Sequence, residues 1–278
     1  MNVGEYPTVG QPTESRSSRA DGTLQPPTET PDDGLPILSP RPRGIATRAG
    51  ERMQGHPVVA FVVVVLAGFA LLAALTVLAG WLLKSYVLPD HGIGHADEHV
   101  NVWLAARRTP ALNTASFWLS GIGDVFAIPA LVILTAVGAM IMRKWRVAAF
   151  IVAAIAIEAA TYRVATLLIH RHRPRVHRLD QLPVDASYFS GHTAASVAVY
   201  CGLALLITSR IRRTGVRIAC WVIAVAIPLL VALSRMYRGM HHPTDVGAAL
   251  LVGIATLVVA LAAVRTAKAA QLAGERPS

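Results

Sequence analysis

Charge is what this sequence lacks most. Of its 278 residues 54% are hydrophobic and only 15% are Asp, Glu, Lys or Arg, whereas soluble domains usually carry about a quarter charged residues. That shortage excludes an ordinary soluble domain, and the long apolar runs exclude disorder or a collagen-like chain over most of the length. Cysteine is almost absent: Cys201 and Cys220 both lie inside apolar runs, so neither a disulfide framework nor a thiolate metal site is indicated. No apolar segment lies near Met1, which excludes a cleavable signal peptide and leaves the first spanning helix as an uncleaved membrane signal. No internal repeat is evident.

The formal charge is +10. In a soluble protein that excess would suggest a nucleic-acid partner, but here the basic residues cluster at the ends of apolar runs and serve as orientation signals, so no nucleic acid is expected. Residues 1–50 hold eight of the 17 prolines, mixed with Ser, Thr, Gly and acids, the composition of a disordered tail that tethers or docks. Beyond it come six apolar runs: Pro57 to Leu83, Val125 to Met142, Val147 to Ile169, Thr193 to Ser209, Ile218 to Ser234 and Val246 to Val264. They predict an all-α integral membrane bundle of six transmembrane helices over 51–268, followed by a short tail over 269–278.

Lysine and arginine fix the expected orientation. Arg41, Arg43, Arg48 and Arg52 precede the first run, Arg143, Lys144 and Arg146 follow the second, Arg210, Arg212, Arg213 and Arg217 follow the fourth, and Arg265 and Lys268 follow the sixth. With six spans all four clusters share one side, so both termini are expected in the cytoplasm and the loops over 85–124, 170–192 and 235–245 outside. The second of those loops breaks the pattern with Arg171, Arg173, Arg175 and Arg178, and an anionic ligand would account for them.

Two outward loops concentrate polar residues: HRHRPRVHRLD from His170 with SYFSGH from Ser187, and SRMYRGMHHPTD from Ser234. Arginine offers a rigid fork of donors suited to phosphate, which makes Arg173 and Arg235 candidate clamps. Ser190 and Gly191 precede a helix whose first N–H groups would face an anion. His192 and His241 are placed for proton transfer or nucleophilic attack, and Asp245, four residues after His241, is spaced to approach one imidazole nitrogen and leave the other free.

On these residues the chain resembles the type 2 phosphatidic acid phosphatase family, lipid phosphatases that share an active-site pattern with the soluble vanadium haloperoxidases. The family's third motif is complete as Ser234, Arg235, His241 and Asp245. Its second, Pro-Ser-Gly-His, reads Phe189, Ser190, Gly191, His192. Its first, a lysine separated by six residues from Arg-Pro, keeps Arg173 and Pro174 but has Thr166 at the lysine position. Arg163, one helical turn below, is the candidate replacement for the missing charge. The resemblance implies that His241 attacks phosphorus, that Asp245 orients it, that His192 protonates the leaving oxygen and then activates water, and that Arg173, Arg235, Ser190 and Gly191 hold the developing charge. It implies no cofactor and no metal. The expected substrate is a lipid phosphate or diphosphate, a polyprenyl diphosphate before phosphatidate, met among membrane lipids at the extracytoplasmic face. A lipid-linked phosphotransferase, or a silent lipid-phosphate-binding transporter or scaffold, are the alternatives. Oligomeric state is not legible.

Other polar residues have plainer expectations. Arg171, Arg175, Arg178, His170, His172, His177 and His242 read as contacts to headgroups or water. His91, His95 and His99 recur every fourth residue, but with Gly92 and Gly94 among them they read as a solvated loop before an interfacial helix rather than a metal site. Glu158, inside the third run, pairs with Arg163, with Tyr162 or with a group on another helix.

Overall fold

The computed structural model of the protein describes Met1 and residues 35–90, 92–181 and 186–276. Most of the expected tail, and His91, lie outside the described residues. Residues 33–278 form one compact unit. Among the described residues there is no strand, and five helices are long and apolar enough to cross a membrane.

The helices, in chain order, are α1 (Ile45–Glu51), α2 (Pro57–Val87), α3 (Ile93–Ala105), α4 (Pro110–Gly121), α5 (Ala127–Ile141), α6 (Trp145–Leu168), α7 (Gly191–Thr208), α8 (Thr214–Tyr237) and α9 (Pro243–Gly274). All six expected spans are present as helices. α5 is the short one: its 15 residues reach about 22 Å at 1.5 Å per residue, less than the roughly 30 Å of a hydrocarbon core. α2 runs the other way, 31 residues or about 46 Å, with its last turn widened by π-type hydrogen bonding over Leu83–Val87.

Burial is inverted relative to a soluble protein. Val58, Leu66 and Leu71 on α2, Ile133 and Leu134 on α5 and Val222 and Ile223 on α8 all point outward, as expected where lipid is the solvent. The interior is lined by small residues, among them Ala153, Ala154 and Ala165 on α6 and Ala249, Ala260 and Ala263 on α9. Small side chains let backbones approach closely, and close approach is what holds helices together when burial from water contributes little. Accordingly α9 packs on α2, α6 and α7. The chain is a multi-pass membrane protein built around α9.

Both ends of the ordered body extend past the boundaries read from sequence. Leu35 and Leu38 are buried, α1 packs on α9, and Arg265 Nε donates to the Ile37 carbonyl at 2.9 Å. α9 continues to Gly274, into the expected tail, because Ala263, Ala269 and Ala270 are buried beneath this N-terminal segment. The loop expected over 85–124 is mostly helix, α3 and α4, and these two helices cap one end of the bundle. There the C-termini of α6 and α8 meet the N-termini of α7 and α9, joined by 169–190 and 238–242.

Candidate active site

α9 begins with tightly tied chemistry. Pro243 sits at its first position, where a missing N–H does no harm, and Asp245 closes a capping box by accepting the His242 backbone N–H at 2.9 Å. The turn before it needs a left-handed residue, and Gly239, at φ 74°, supplies it; a side chain there would also strike Val176. This turn presents His241 almost fully buried, at 2% exposure. Asn101 of α3 fixes the turn from outside, its Nδ2 donating to the His241 carbonyl at 3.0 Å and the Met236 carbonyl at 3.1 Å.

The His241 ring is oriented by a backbone group. Its Nδ1 lies 2.8 Å from the Ser187 carbonyl oxygen; a carbonyl only accepts, so Nδ1 carries the proton and Nε2 keeps its lone pair. Burial, with the nearby Arg235, holds the imidazole well below its ordinary pKa, so the ring is neutral and nucleophilic near pH 7. Asp245 does not take the role expected from its spacing. Its carboxylate accepts hydrogen bonds from Ser187 Oγ, from Arg171 Nη1 and from the His242 N–H, none of them from the His241 ring. It therefore orients His241 at one remove, by clamping the residue whose carbonyl holds Nδ1.

Ser190, Gly191 and His192 start α7. Ser190 N donates to the Asp245 carbonyl at 3.4 Å, which ties the two motifs together, and Ser190 Oγ meets Thr193 Oγ1 at 3.0 Å. Gly191 lies against Tyr162, where an added Cβ would come within 3.1 Å of the ring. Phe189, in place of the family's proline, is fully buried between Tyr162 and Tyr188 in edge-to-face contacts at 5.7 and 6.1 Å, so an aromatic anchor secures the loop there. His192 Nε2 lies 3.3 Å from Asp124 Oδ1, a carboxylate just ahead of α5 that the sequence did not single out.

Both motif arginines are present and buried. Arg173 Nη1 donates to the Met240 carbonyl at 2.6 Å, beside His241. Arg235 Nη1 donates to Asp180 Oδ2 and to Ser120 Oγ, each at 2.8 Å, while its Nε has no partner among the described residues. Arg238 shares Asp180. Burial alone would raise the Asp180 carboxyl, but the two guanidiniums outweigh it and hold its pKa below the ordinary value.

Three expectations are corrected. Arg163 does not join the site: it is exposed on α6, whereas Thr166 is buried with its hydroxyl turned back to the Tyr162 and Arg163 carbonyls, at 3.0 Å each. Arg171 and His242 are not headgroup contacts, because both are buried; Arg171 bridges Asp97 at 2.6 Å, Asp245 and Thr244 Oγ1 at 2.8 Å. Glu158 pairs with neither Arg163 nor Tyr162; its buried Oε1 has no hydrogen-bond partner among the described residues. Sequence reasoning also missed Asp97, which caps α9 through the Thr244 N–H at 3.1 Å. Asp97 and Asn101, four apart on one face of α3, are both buried, and that helical spacing of polar residues was the available signal. Among the described residues no three His, Cys, Asp or Glu side chains group closely enough to hold a metal ion.

No curated protein matches the chain. Among solved structures it is similar to the transmembrane PAP2-type phosphatidylglycerolphosphate phosphatase from Bacillus subtilis, at 24% identity, covering 73% of this chain and 93% of that one with a TM-score of 0.57. It is also similar to LpxE from Aquifex aeolicus, at 21% identity, covering 60% of this chain and 94% of that one with a TM-score of 0.48. The first likeness carries the membrane fold. The PAP2 superfamily pattern matches residues 147–269, from the second residue beyond the start of α6 nearly to the end of α9, and all the motif residues described above lie inside that span.

Proposed function

We propose that the protein is a metal-independent membrane phosphatase that removes phosphate from a lipid phosphate or diphosphate at the extracytoplasmic face, polyprenyl diphosphate before phosphatidate. The observation that carries this reading is the His241 imidazole, neutral by burial, with Nδ1 committed to the Ser187 carbonyl and both Arg173 and Arg235 close enough to act on its charge. Such a ring can do one thing well: attack an electrophile whose negative charge the two guanidiniums hold.

In the first step the Nε2 lone pair forms a bond to phosphorus as the bond to the leaving oxygen breaks, and His192 gives that oxygen a proton. The phosphohistidine is then hydrolysed by a water that His192 deprotonates, returning the proton it lost. Arg173, Arg235 and the N–H groups at the start of α7 stabilise the equatorial oxygens, the largest contribution a protein makes to phosphoryl transfer. Asp124 holds His192 and Asp245, through Ser187, holds His241.

One observation favours the silent-pocket alternative: Thr166 is hydrogen-bonded within its own helix and brings no charge to the site. Phosphate release by the purified protein in detergent with chelator decides between them. Vanadate-sensitive release that disappears in His241→Ala supports the phosphatase; lipid binding with no release from either substrate refutes it.

A further inference from the structure

The end of the bundle away from the candidate site carries an apolar groove that the motif chemistry does not use. α5 and α7 both start beside the site, where Asp124 and His192 meet at 3.3 Å. The groove, of about 420 Å³, lies between their far ends and takes its lining mainly from within residues 134–142 and 203–210. Its base is formed by the buried Leu35, Ala139 and Leu206, and its rims by the exposed Leu134, Met142 and Ile207. Gly138 opens onto this space, since a Cβ built there would meet nothing within 4 Å. From Leu134 to Met142 the groove follows α5 for about 12 Å, most of the roughly 15 Å of hydrocarbon depth in one leaflet.

Two cations, Lys144 and Arg210, also line the groove, and no acid does among the described residues. The turn between α5 and α6 sets Lys144 in place. Its backbone N–H donates to the Ala139 carbonyl at 2.7 Å, and Arg143 before it takes φ 58°, a left-handed conformation that glycine adopts at less cost. Arg146, the third cation of this turn, points elsewhere, its Nη2 donating to Gln271 Oε1 at 3.0 Å. Arg210 lies just beyond the end of α7 and is exposed. An apolar channel about one leaflet deep with two cations at its end is complementary to an amphiphile with a negative head. A second copy of the chain is a poor complement, because a symmetric contact would bring the same cations to one interface with no acid from the groove to meet them.

We propose that this groove binds a phospholipid with an anionic headgroup, one acyl chain lying along Gly138 between α5 and α7 and the phosphate held by Lys144 and Arg210. The site is separate from the reaction at His241 and does not depend on it. Its occupant completes a wall that α5, at 15 residues, is too short to build across a bilayer. It also touches Leu35, two residues ahead of the Ile37 carbonyl that Arg265 of α9 holds, so the bound lipid braces the N-terminal segment against the bundle.

The test titrates phosphatidylglycerol and phosphatidylcholine with the same acyl chains into the full-length protein in nonionic detergent and reads lipid retention by native mass spectrometry. The proteins compared are the wild type, Lys144→Gln, Arg210→Gln, their double variant, and Gly138→Phe with Gly138→Leu as a milder filling of the same space. The wild type is expected to prefer phosphatidylglycerol by more than about tenfold, and each neutralised cation to weaken that lipid about fivefold while leaving phosphatidylcholine unchanged. Filling the groove at Gly138 should weaken phosphatidylglycerol roughly tenfold with both cations in place, through lost contact with about two methylenes. Equal affinity for the two lipids in the wild type, a preference unchanged in the double variant, or undiminished binding in both Gly138 variants overturns the proposal. A wild-type mass of two chains that falls to one in the Gly138 variants overturns it as well, in favour of a contact between copies.

Discussion

The indirect hold of Asp245 on His241 leads to a distinctive expectation for Ser187. In Ser187→Ala the backbone carbonyl that accepts Nδ1–H remains, but the hydroxyl that anchors it to Asp245 is gone. A hydrogen bond to a charged group contributes about 1.5–3 kcal/mol. If the whole of that loss appears as misorientation of the ring in the transition state, at about 1.4 kcal/mol per factor of ten, kcat falls roughly 10- to 150-fold. KM should change little, because Ser187 touches the ring's support and not the phosphate. Ser187→Thr, which keeps the hydroxyl, should recover much of the rate. Steady-state kinetics on Ser187→Ala, Asp245→Asn and the double variant complete the cycle: with both residues acting through one bond, the double variant should be hardly worse than Asp245→Asn alone. The reasoning is refuted if Ser187→Ala stays within twofold of wild type while Asp245→Asn loses more than a hundredfold, since Asp245 would then act on the ring without Ser187.

Arg163→Ala should keep more than half of wild-type phosphate release, and a loss above tenfold would return Arg163 to the site. Arg171→Ala leaves Asp97 and Asp245 buried without their shared cation, a loss of about 3–5 kcal/mol, read as a large drop in thermal stability in detergent; a shift of only a degree or two would contradict it. Asp180→Asn removes the carboxylate shared by Arg235 and Arg238, and because Asp180 is 23% exposed the expected loss is smaller, roughly 2 kcal/mol, measured by the same melt. The pH dependence follows from His241: its pKa is depressed, so the ring stays unprotonated as pH falls below about 6.5, and the acid limb of kcat/KM due to the nucleophile should lie well below that value. Over the same window the unfolded chain takes up a proton that the folded site refuses, so stability declines as pH falls. An acid limb at or above 6.5 in the wild type would show that burial does not control this ring.

The spans were legible because they depend on local composition, and every one of the six runs became a helix. The motif residues were legible because each motif occupies a short stretch of chain: Arg235 to His241 is six residues, His241 to Asp245 four and Ser190 to His192 two. What supports them was not. Asp97 meets Arg171 across 74 residues and Thr244 across 147, and no periodicity announces contacts at that distance. Arg163 shows the limit of helical spacing itself. Residues three apart differ by about 60° around a helix, enough to turn Thr166 into the bundle and leave Arg163 at its surface.

Asp97 lies fifty residues ahead of the segment that matches the family pattern, yet it holds both Arg171 and the first turn of α9. This ordering governs assembly during synthesis. A chain emerges N-terminus first at about 5–20 residues per second, so α3 is made first, Arg171 follows, and both await Thr244 and Asp245. The site thus cannot close until the start of α9 arrives, and until then the membrane holds a protein whose earlier helices have been inserted but whose candidate site residues have not yet met.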